Sequence, residues 1–137
     1  MSFDTSGISL TDNSLTSLRI LVLEDEFLIA MYIEELCRDH GASDVVICTK
    51  LRDANDITEA IDAAIVDLML GGESTLPLAR TLRDRGIPFI FASGYMQRRD
   101  VTDEFPGVPM VGKPYSGTDL VDALADAIRR RSALPSG

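Results

Sequence analysis

Hydrophobic residues along the chain fall into five short, nearly continuous runs, and a polar, charged or glycine residue follows each of them. Runs of this kind are typical of strands in a parallel sheet whose two faces are both covered. Between most of the runs, apolar residues recur at intervals of three and four, as in an amphipathic helix. The predicted strands are 19–23, 44–48, 63–66, 88–92 and 110–112.

The helical spacing predicts helices at about 26–39, 51–59 and 74–85, and a last helix that follows Ser116. Segment 95–108 has little apolar face and predicts only a short or mobile helix. Gly41 and Gly86 follow the first and third helices, where glycine commonly ends a helix. Five strands alternating with helices indicate a doubly wound α/β fold with helices on both faces of a parallel sheet.

Domain boundaries follow from where the pattern begins and stops. Residues 1–17 are polar and predict a flexible extension, residues 18–131 form one domain, and residues 132–137 predict a loose tail. A chain of 137 residues suffices for one domain with a core, and its 45% hydrophobic content is ordinary for a globular protein.

Charge and composition exclude several classes of function. The net charge of -9 repels phosphate backbones and anionic lipid, which disfavours nucleic acid and membrane surfaces as direct partners. No apolar stretch approaches the roughly 20 residues that cross a bilayer, and the first 13 residues do not resemble a secretory signal. Cys37 and Cys48 are interpreted as small core residues of a cytoplasmic protein, and a single histidine, His40, gives zinc no ligand set.

The polar residues that follow the strands are the candidate chemistry. Glu24 and Asp25 follow the first strand, Asp67 the third, Ser93 the fourth and Lys113 the fifth. In an open parallel sheet, ligands bind outside the carboxyl ends of the strands. We therefore expect these five side chains to lie together although they are far apart in sequence.

Three carboxylates in one place repel one another unless a cation or a proton relieves the charge. A hard divalent ion such as Mg²⁺ prefers oxygen ligands of this kind. Lys113 offers a positive charge, and Ser93 a hydroxyl, to a phosphoryl group. Asp67 is then either a metal ligand alone or a nucleophile that becomes an aspartyl phosphate.

With these residues in place, the chain resembles the receiver domain of two-component response regulators from about residue 18 to 130. Each matching segment alone is a weak signal, but four in the right order are a strong one. The resemblance implies a flavodoxin-like sheet in strand order 2-1-3-4-5. The four segments that match the receiver pattern are ILVLEDE at 20–26, AIVDLML at 64–70, PFIFASGY at 88–95 and VGKPY at 111–115.

The resemblance also implies roles for individual residues. Asp67 would accept a phosphoryl group from a sensor histidine kinase, Lys113 would pair with that group, and Ser93 would be the switch hydroxyl. The bond between Lys113 and Pro114 would be cis, as is usual in the family. The domain would be a signalling protein rather than an enzyme in the ordinary sense.

A metal site is implied as well. Glu24 and Asp25 would form the acidic pair, with Asp25 a direct Mg²⁺ ligand beside Asp67. The backbone carbonyl of Met69 would complete the protein ligands.

Two features depart from the usual receiver pattern. Met110 occupies the position of the aromatic residue that reports phosphorylation, which leaves Tyr95 as a second candidate for that role. Residues 91–95 resemble an atypical Phe-Ala-Thr/Ser-Gly subgroup, common among single-domain regulators of alphaproteobacteria, in which helix 4 is often a mobile loop. Gly71 and Gly72 alter the turn that normally follows the acceptor.

Several alternatives stay open from the sequence. Asp25 is also a good N-cap for the first helix. The chain is expected to signal through a protein partner or a phosphotransfer protein, or to drain phosphoryl groups from a kinase, as a monomer or weak dimer. The main alternative is a pseudo-receiver that binds partners without being phosphorylated. A hydrolase of the same layer type is disfavoured because Met69 occupies the position of its second acid.

Overall fold

A computed structural model describes residues 14–55, 57, 60–94, 99–113 and 117–133. The strands of the described residues form a five-stranded sheet and a separate two-stranded hairpin. The sheet contains β1 (Arg19–Leu23), β2 (Asp44–Cys48), β3 (Ala63–Asp67), β6 (Phe89–Ser93) and β7 (Met110–Gly112), and the hairpin contains β4 (Met69–Leu70) and β5 (Glu73–Ser74). The helices are α1 (Phe27–Asp39), α2 (Leu51–Asn55), α3 (Leu76–Asp84), α4 (Arg99–Glu104) and α5 (Gly117–Ala133).

The main sheet is parallel throughout, in the order β2-β1-β3-β6-β7. Because the hairpin adds two strands to the numbering, this is the predicted flavodoxin-like order 2-1-3-4-5, which is confirmed. The register pairs Leu23 with Cys48 and Val66, Asp67 with Ala92, and Ser93 with Gly112. The residues that end or follow these strands therefore share one edge of the sheet.

Alternate residues of the central strands face two separate hydrophobic cores. Leu21 and Val66 belong to the core beneath α3, whereas Val22 and Ile65 belong to the core beneath α1 and α5. All four are almost completely buried. Each buried side chain of this size stabilises the fold by roughly 1.5–3 kcal/mol, so the two cores hold the strand ends, and with them the polar edge, in a fixed geometry.

The third helix starts later than predicted because a β-hairpin precedes it. The third helix is predicted from about residue 74, but residues 73 and 74 form β5, and residues 71 and 72 form the turn between β4 and β5. Gly71 and Gly72 adopt φ of 58° and 84°, as a two-residue hairpin turn requires and glycine readily allows. The helix begins two residues later than predicted, at Leu76.

The two ends of the folded domain also differ from those predicted at residues 18 and 131. Leu15 is buried in the core beneath α1, and its N–H donates to the carbonyl of His40, so ordered structure begins before residue 18. Helix α5 continues to Ala133, two residues beyond the expected domain end at Arg131. The second helix ends at Asn55, and most of its remaining predicted length lies outside the described residues.

Helix α4 is short, as the weak pattern predicted. It nevertheless anchors to the core, since Val101 and the residue just after the helix, Phe105, are both buried. Gly41 and Gly86 follow α1 and α3 with φ of 99° and 72°, which confirms that glycine ends both helices.

Candidate functional site

The sheet edge that carries the candidate residues is held by hydrogen bonds beyond the strands themselves. The Glu24 N–H donates to the Cys48 carbonyl at 3.2 Å, and the Lys113 N–H donates to the Ser93 carbonyl at 2.8 Å. Just past Asp67, the Leu68 N–H donates to a carbonyl of β6 at 3.1 Å. The backbone is thus fixed at each point where a candidate side chain begins.

Three carboxylates meet at this edge. Glu24, Asp25 and Asp67 each present an oxygen within 4.8 Å of the others. Glu24 is 1% exposed and Asp67 is 7% exposed, whereas Asp25 faces solvent. We call Glu24, Asp25, Asp67 and Lys113 the acidic cluster.

Lys113 is the counter-charge of this cluster. Its Nζ lies 2.8 Å from Asp67 Oδ2 and 3.2 Å from Glu24 Oε1. A further acid, Glu26, approaches the same ammonium group at 3.7 Å from the solvent side. Because the carboxylates facing Lys113 outnumber it, the cluster carries excess negative charge.

The pKa of Glu24 reflects both its burial and this excess negative charge. Burial raises the pKa of Glu24, and the charge of Asp67 raises it further, while a hydrogen bond from the Glu26 N–H at 3.1 Å and the proximity of Lys113 act in the opposite direction. Glu24 Oε1 is buried and accepts no hydrogen bond from the described residues, although the Lys113 ammonium is in ionic contact with it. A buried carboxylate oxygen without a hydrogen bond fits a site for a hard cation.

Asp25 and Met69 are the exposed members of the predicted metal site. The Gly71 N–H, at the hairpin turn, donates to Asp25 Oδ2 at 3.0 Å, a contact that no sequence pattern predicted. Glu26 occupies the N-cap position of α1, so Asp25 does not cap that helix. Met69 begins β4 with a half-exposed side chain, and the metal-binding role of its carbonyl stays a prediction.

Ser93 ends β6, and Met110 begins the neighbouring strand β7. Ser93 is buried at the end of β6. Met110 pairs with Phe91 in register and packs against a core that also contains Phe89 and Phe105. Phe91 and Phe105 meet edge to face, with ring centroids 5.3 Å apart. Tyr95 and Pro114, the second reporter candidate and the expected cis proline, lie outside the described residues.

No family model matches the chain. The regulatory protein VirG of Rhizobium rhizogenes is 28% identical over 121 residues, which is 84% of this chain and 50% of VirG. The chain therefore spans about half the length of this curated relative.

Solved structures also match most of the chain. A response regulator receiver protein from Sinorhizobium medicae superposes with a TM-score of 0.75 at 21% identity, covering 84% of this chain and 97% of that one. The response regulator PhyR from Brucella abortus gives a TM-score of 0.70 at 27% identity, covering 89% of this chain and 52% of that one. The chain has the receiver-domain fold of response regulators.

The cysteines and the histidine of this receiver domain do not belong to the acidic cluster. Burial raises the pKa of Cys37 to about 12 and also raises the pKa of Cys48, and neither forms a disulfide. His40 places Nδ1 2.9 Å from the Leu36 carbonyl at the end of α1. None of the described helices is both long and apolar enough to cross a bilayer.

Proposed function

We propose that this receiver domain accepts a phosphoryl group on Asp67 from a sensor histidine kinase, with Mg²⁺ as cofactor. One observation carries the proposal: Asp67 Oδ2 lies 2.8 Å from Lys113 Nζ inside a cluster with more carboxylates than cations. A purely structural ion pair has no need of the two further acids, whereas phosphoryl transfer to a carboxylate needs cationic charge around the acceptor.

The transfer step follows from the chemistry of the two side chains. A carboxylate oxygen of Asp67 attacks the phosphorus atom, and the bond from phosphorus to the imidazole nitrogen of the kinase histidine breaks. The electron pair of that bond returns to the imidazole, which takes a proton from solvent. The product is an acyl phosphate on Asp67, and its phosphoryl group carries about -2 charge in place of the carboxylate's -1.

Glu24, Asp25 and Asp67 are the residues that would hold Mg²⁺, and the Met69 carbonyl is the fourth protein ligand we propose. Bound Mg²⁺ supplies positive charge that offsets both the carboxylates and the phosphoryl oxygens. Lys113 lies against Asp67 already and offsets part of the same charge.

The route by which phosphorylation would alter the surface runs through β6. We propose that the Ser93 hydroxyl moves toward the phosphoryl group and that β6 and α4 reorder in response. Phe91 lies two residues before Ser93 and packs against Phe105, which follows α4 directly. Met110 and Tyr95 remain the candidate reporters of this change.

A pseudo-receiver that only binds partners is the second candidate. It is favoured by Met110, which is half-buried where receivers usually carry an aromatic reporter. Whether the purified protein can be phosphorylated distinguishes the phosphoryl acceptor from the pseudo-receiver.

The test is labelling of the purified protein by acetyl phosphate, or by a cognate kinase, with Mg²⁺ and with a chelator in its place. Wild type and a control, Asp103→Asn at an exposed position of α4, are expected to label only when Mg²⁺ is present. Asp67→Asn is expected not to label. Equal labelling of Asp67→Asn contradicts the assignment of Asp67. An unlabelled wild type without amide shifts at millimolar Mg²⁺ favours the pseudo-receiver.

A further inference from the structure

Thr75 is a fully buried polar residue at the start of α3, and the proposed chemistry leaves it without a role. It occupies the N-cap position, where a threonine hydroxyl ordinarily accepts a hydrogen bond from the first turn of the helix. Thr75 makes no such bond. Pro77, two residues on, has no N–H to donate, and the Leu76 N–H donates to the Ser74 hydroxyl at 3.2 Å instead.

The hydroxyl of Thr75 is directed to the acceptor strand. Its Oγ1 lies 2.6 Å from the Asp67 carbonyl oxygen and 3.0 Å from the Leu68 carbonyl oxygen. The Thr75 N–H also donates to the Leu68 carbonyl at 3.1 Å. A hydroxyl carries one proton, so the two carbonyls share it. Thr75 thus contacts the backbone carbonyls of both Asp67 and the residue after it.

These contacts hold the Asp67–Leu68 peptide group from both sides. Its N–H donates to the Ala92 carbonyl at 3.1 Å, and its C=O accepts from Thr75. A peptide plane bonded at both edges cannot rotate without breaking one of these bonds. The next residue, Met69, begins the hairpin whose Gly71 N–H donates to Asp25.

We propose that Thr75 is a positioning residue for the acceptor site. By fixing the carbonyls of Asp67 and Leu68, its hydroxyl sets the direction of the Asp67 side chain and the path of the backbone at Met69. The inference rests on the proposed function, because it assigns Thr75 to the cation and phosphoryl site built on Asp67. Groups that orient the ligands of a metal affect its affinity without touching it.

The decisive variant is Thr75→Val, which keeps the branched shape and removes the hydroxyl. Thr75→Ser restores the hydroxyl without the methyl group. Thr81→Val is the matched control, since the half-buried Thr81 hydroxyl donates to the Pro77 carbonyl at 3.3 Å within the same helix. Three readouts separate positioning from stability: Mg²⁺ affinity from amide shifts, the acetyl phosphate labelling rate at saturating Mg²⁺, and the thermal midpoint.

Thr75→Val is expected to weaken Mg²⁺ affinity about tenfold or more, the usual effect of losing an orienting group, and to slow labelling at saturating Mg²⁺. Thr75→Ser is expected to stay within about threefold of wild type, and Thr81→Val to leave affinity and labelling unchanged. A lower midpoint in Thr75→Val with wild-type Mg²⁺ affinity and labelling rate shows a merely structural role and overturns the proposal.

Two further outcomes are distinguishable. If Thr75→Val does not fold, Thr75→Cys takes its place, since a thiol of similar size donates only weakly, and the same loss of affinity is expected. A wild type that binds Mg²⁺ but is never labelled contradicts the proposed phosphorylation alone, and the Mg²⁺ affinities still decide the role of Thr75.

Discussion

Two charged clusters of this molecule are built in opposite ways. In the acidic cluster, Lys113 is shared among carboxylates that outnumber it, and Asp67 is largely buried. On the surface between α3 and α4, Glu104 is instead shared by two guanidinium groups. Arg80 Nη2 donates to Glu104 Oε1 at 2.9 Å, and Arg83 Nη1 lies 3.6 Å from Glu104 Oε2.

The carboxyl pKa values move in opposite directions in the two clusters. Burial raises the pKa of Glu24, whereas the hydrogen bond from Arg80 lowers the pKa of Glu104. The surface cluster needs no further cation, because its one carboxylate is already paired with two guanidinium groups, and it links α3 to α4. The acidic cluster retains unbalanced negative charge, which is what a site that receives a cation requires.

The largest expected effect comes from removing the cation of the acidic cluster. Lys113→Met is expected to slow labelling by acetyl phosphate about 10²-fold, because it deletes the ammonium group beside Asp67. The matched control is Lys50→Met, at an exposed lysine after β2. Labelling of Lys113→Met within threefold of wild type would show that the contact with Asp67 has no part in transfer.

A smaller effect is expected when the acidic cluster loses one charge. Glu24→Gln keeps the side-chain shape but removes a carboxylate whose charged form the fold disfavours. Without Mg²⁺, its thermal midpoint is expected to rise by about 2–5 °C, and addition of Mg²⁺ should stabilise it less than wild type. A lower thermal midpoint of Glu24→Gln without Mg²⁺ would mean that the charges of the acidic cluster are already balanced in the wild type.

The pH dependence of stability sharpens the contrast. The pKa of Glu24 is raised on folding, so the folded state binds more protons than the unfolded chain between the ordinary and raised values, and stability falls as pH rises through that window. Urea unfolding without metal is expected to show Glu24→Gln gaining over wild type as pH rises above the ordinary glutamate range. A gain that is independent of pH would contradict the origin assigned to it.

The smallest effect is expected from the surface cluster. The pKa of Glu104 is lowered, so its contribution is present above the ordinary glutamate pKa and disappears as pH falls through the lowered value. At neutral pH, Glu104→Gln is expected to lower the thermal midpoint by about 1–2 °C and to leave labelling unchanged. A loss of labelling as large as that of Lys113→Met would erase the distinction between the clusters.

The sheet and its polar edge could be predicted because they depend on local signals. Apolar runs define the strands, and in a parallel sheet their ends must meet, so Glu24, Asp67 and Lys113 were expected together and lie together. The hairpin was missed because Gly71 and Gly72 carry no apolar pattern and resemble any chain break.

Other features depend on contacts that the sequence pattern does not encode. The partners of the Thr75 hydroxyl are backbone carbonyls seven and eight residues earlier, whereas an N-cap threonine ordinarily accepts a hydrogen bond from its own helix. Likewise, Glu104 reaches Arg80 across 24 residues, a pairing set by how α4 packs on α3. Such roles become visible only once the tertiary structure fixes which groups lie together.

Direct location of the phosphoryl group tests the central claim most sharply. Wild-type protein is treated with acetyl phosphate and Mg²⁺, the acyl phosphate is trapped by borohydride reduction, and the modified residue is located by peptide mass spectrometry. Reduction converts a phosphorylated aspartate to homoserine, and we predict this conversion at position 67 alone. Conversion at another acid, or at none in protein that binds Mg²⁺, would contradict Asp67 as the acceptor.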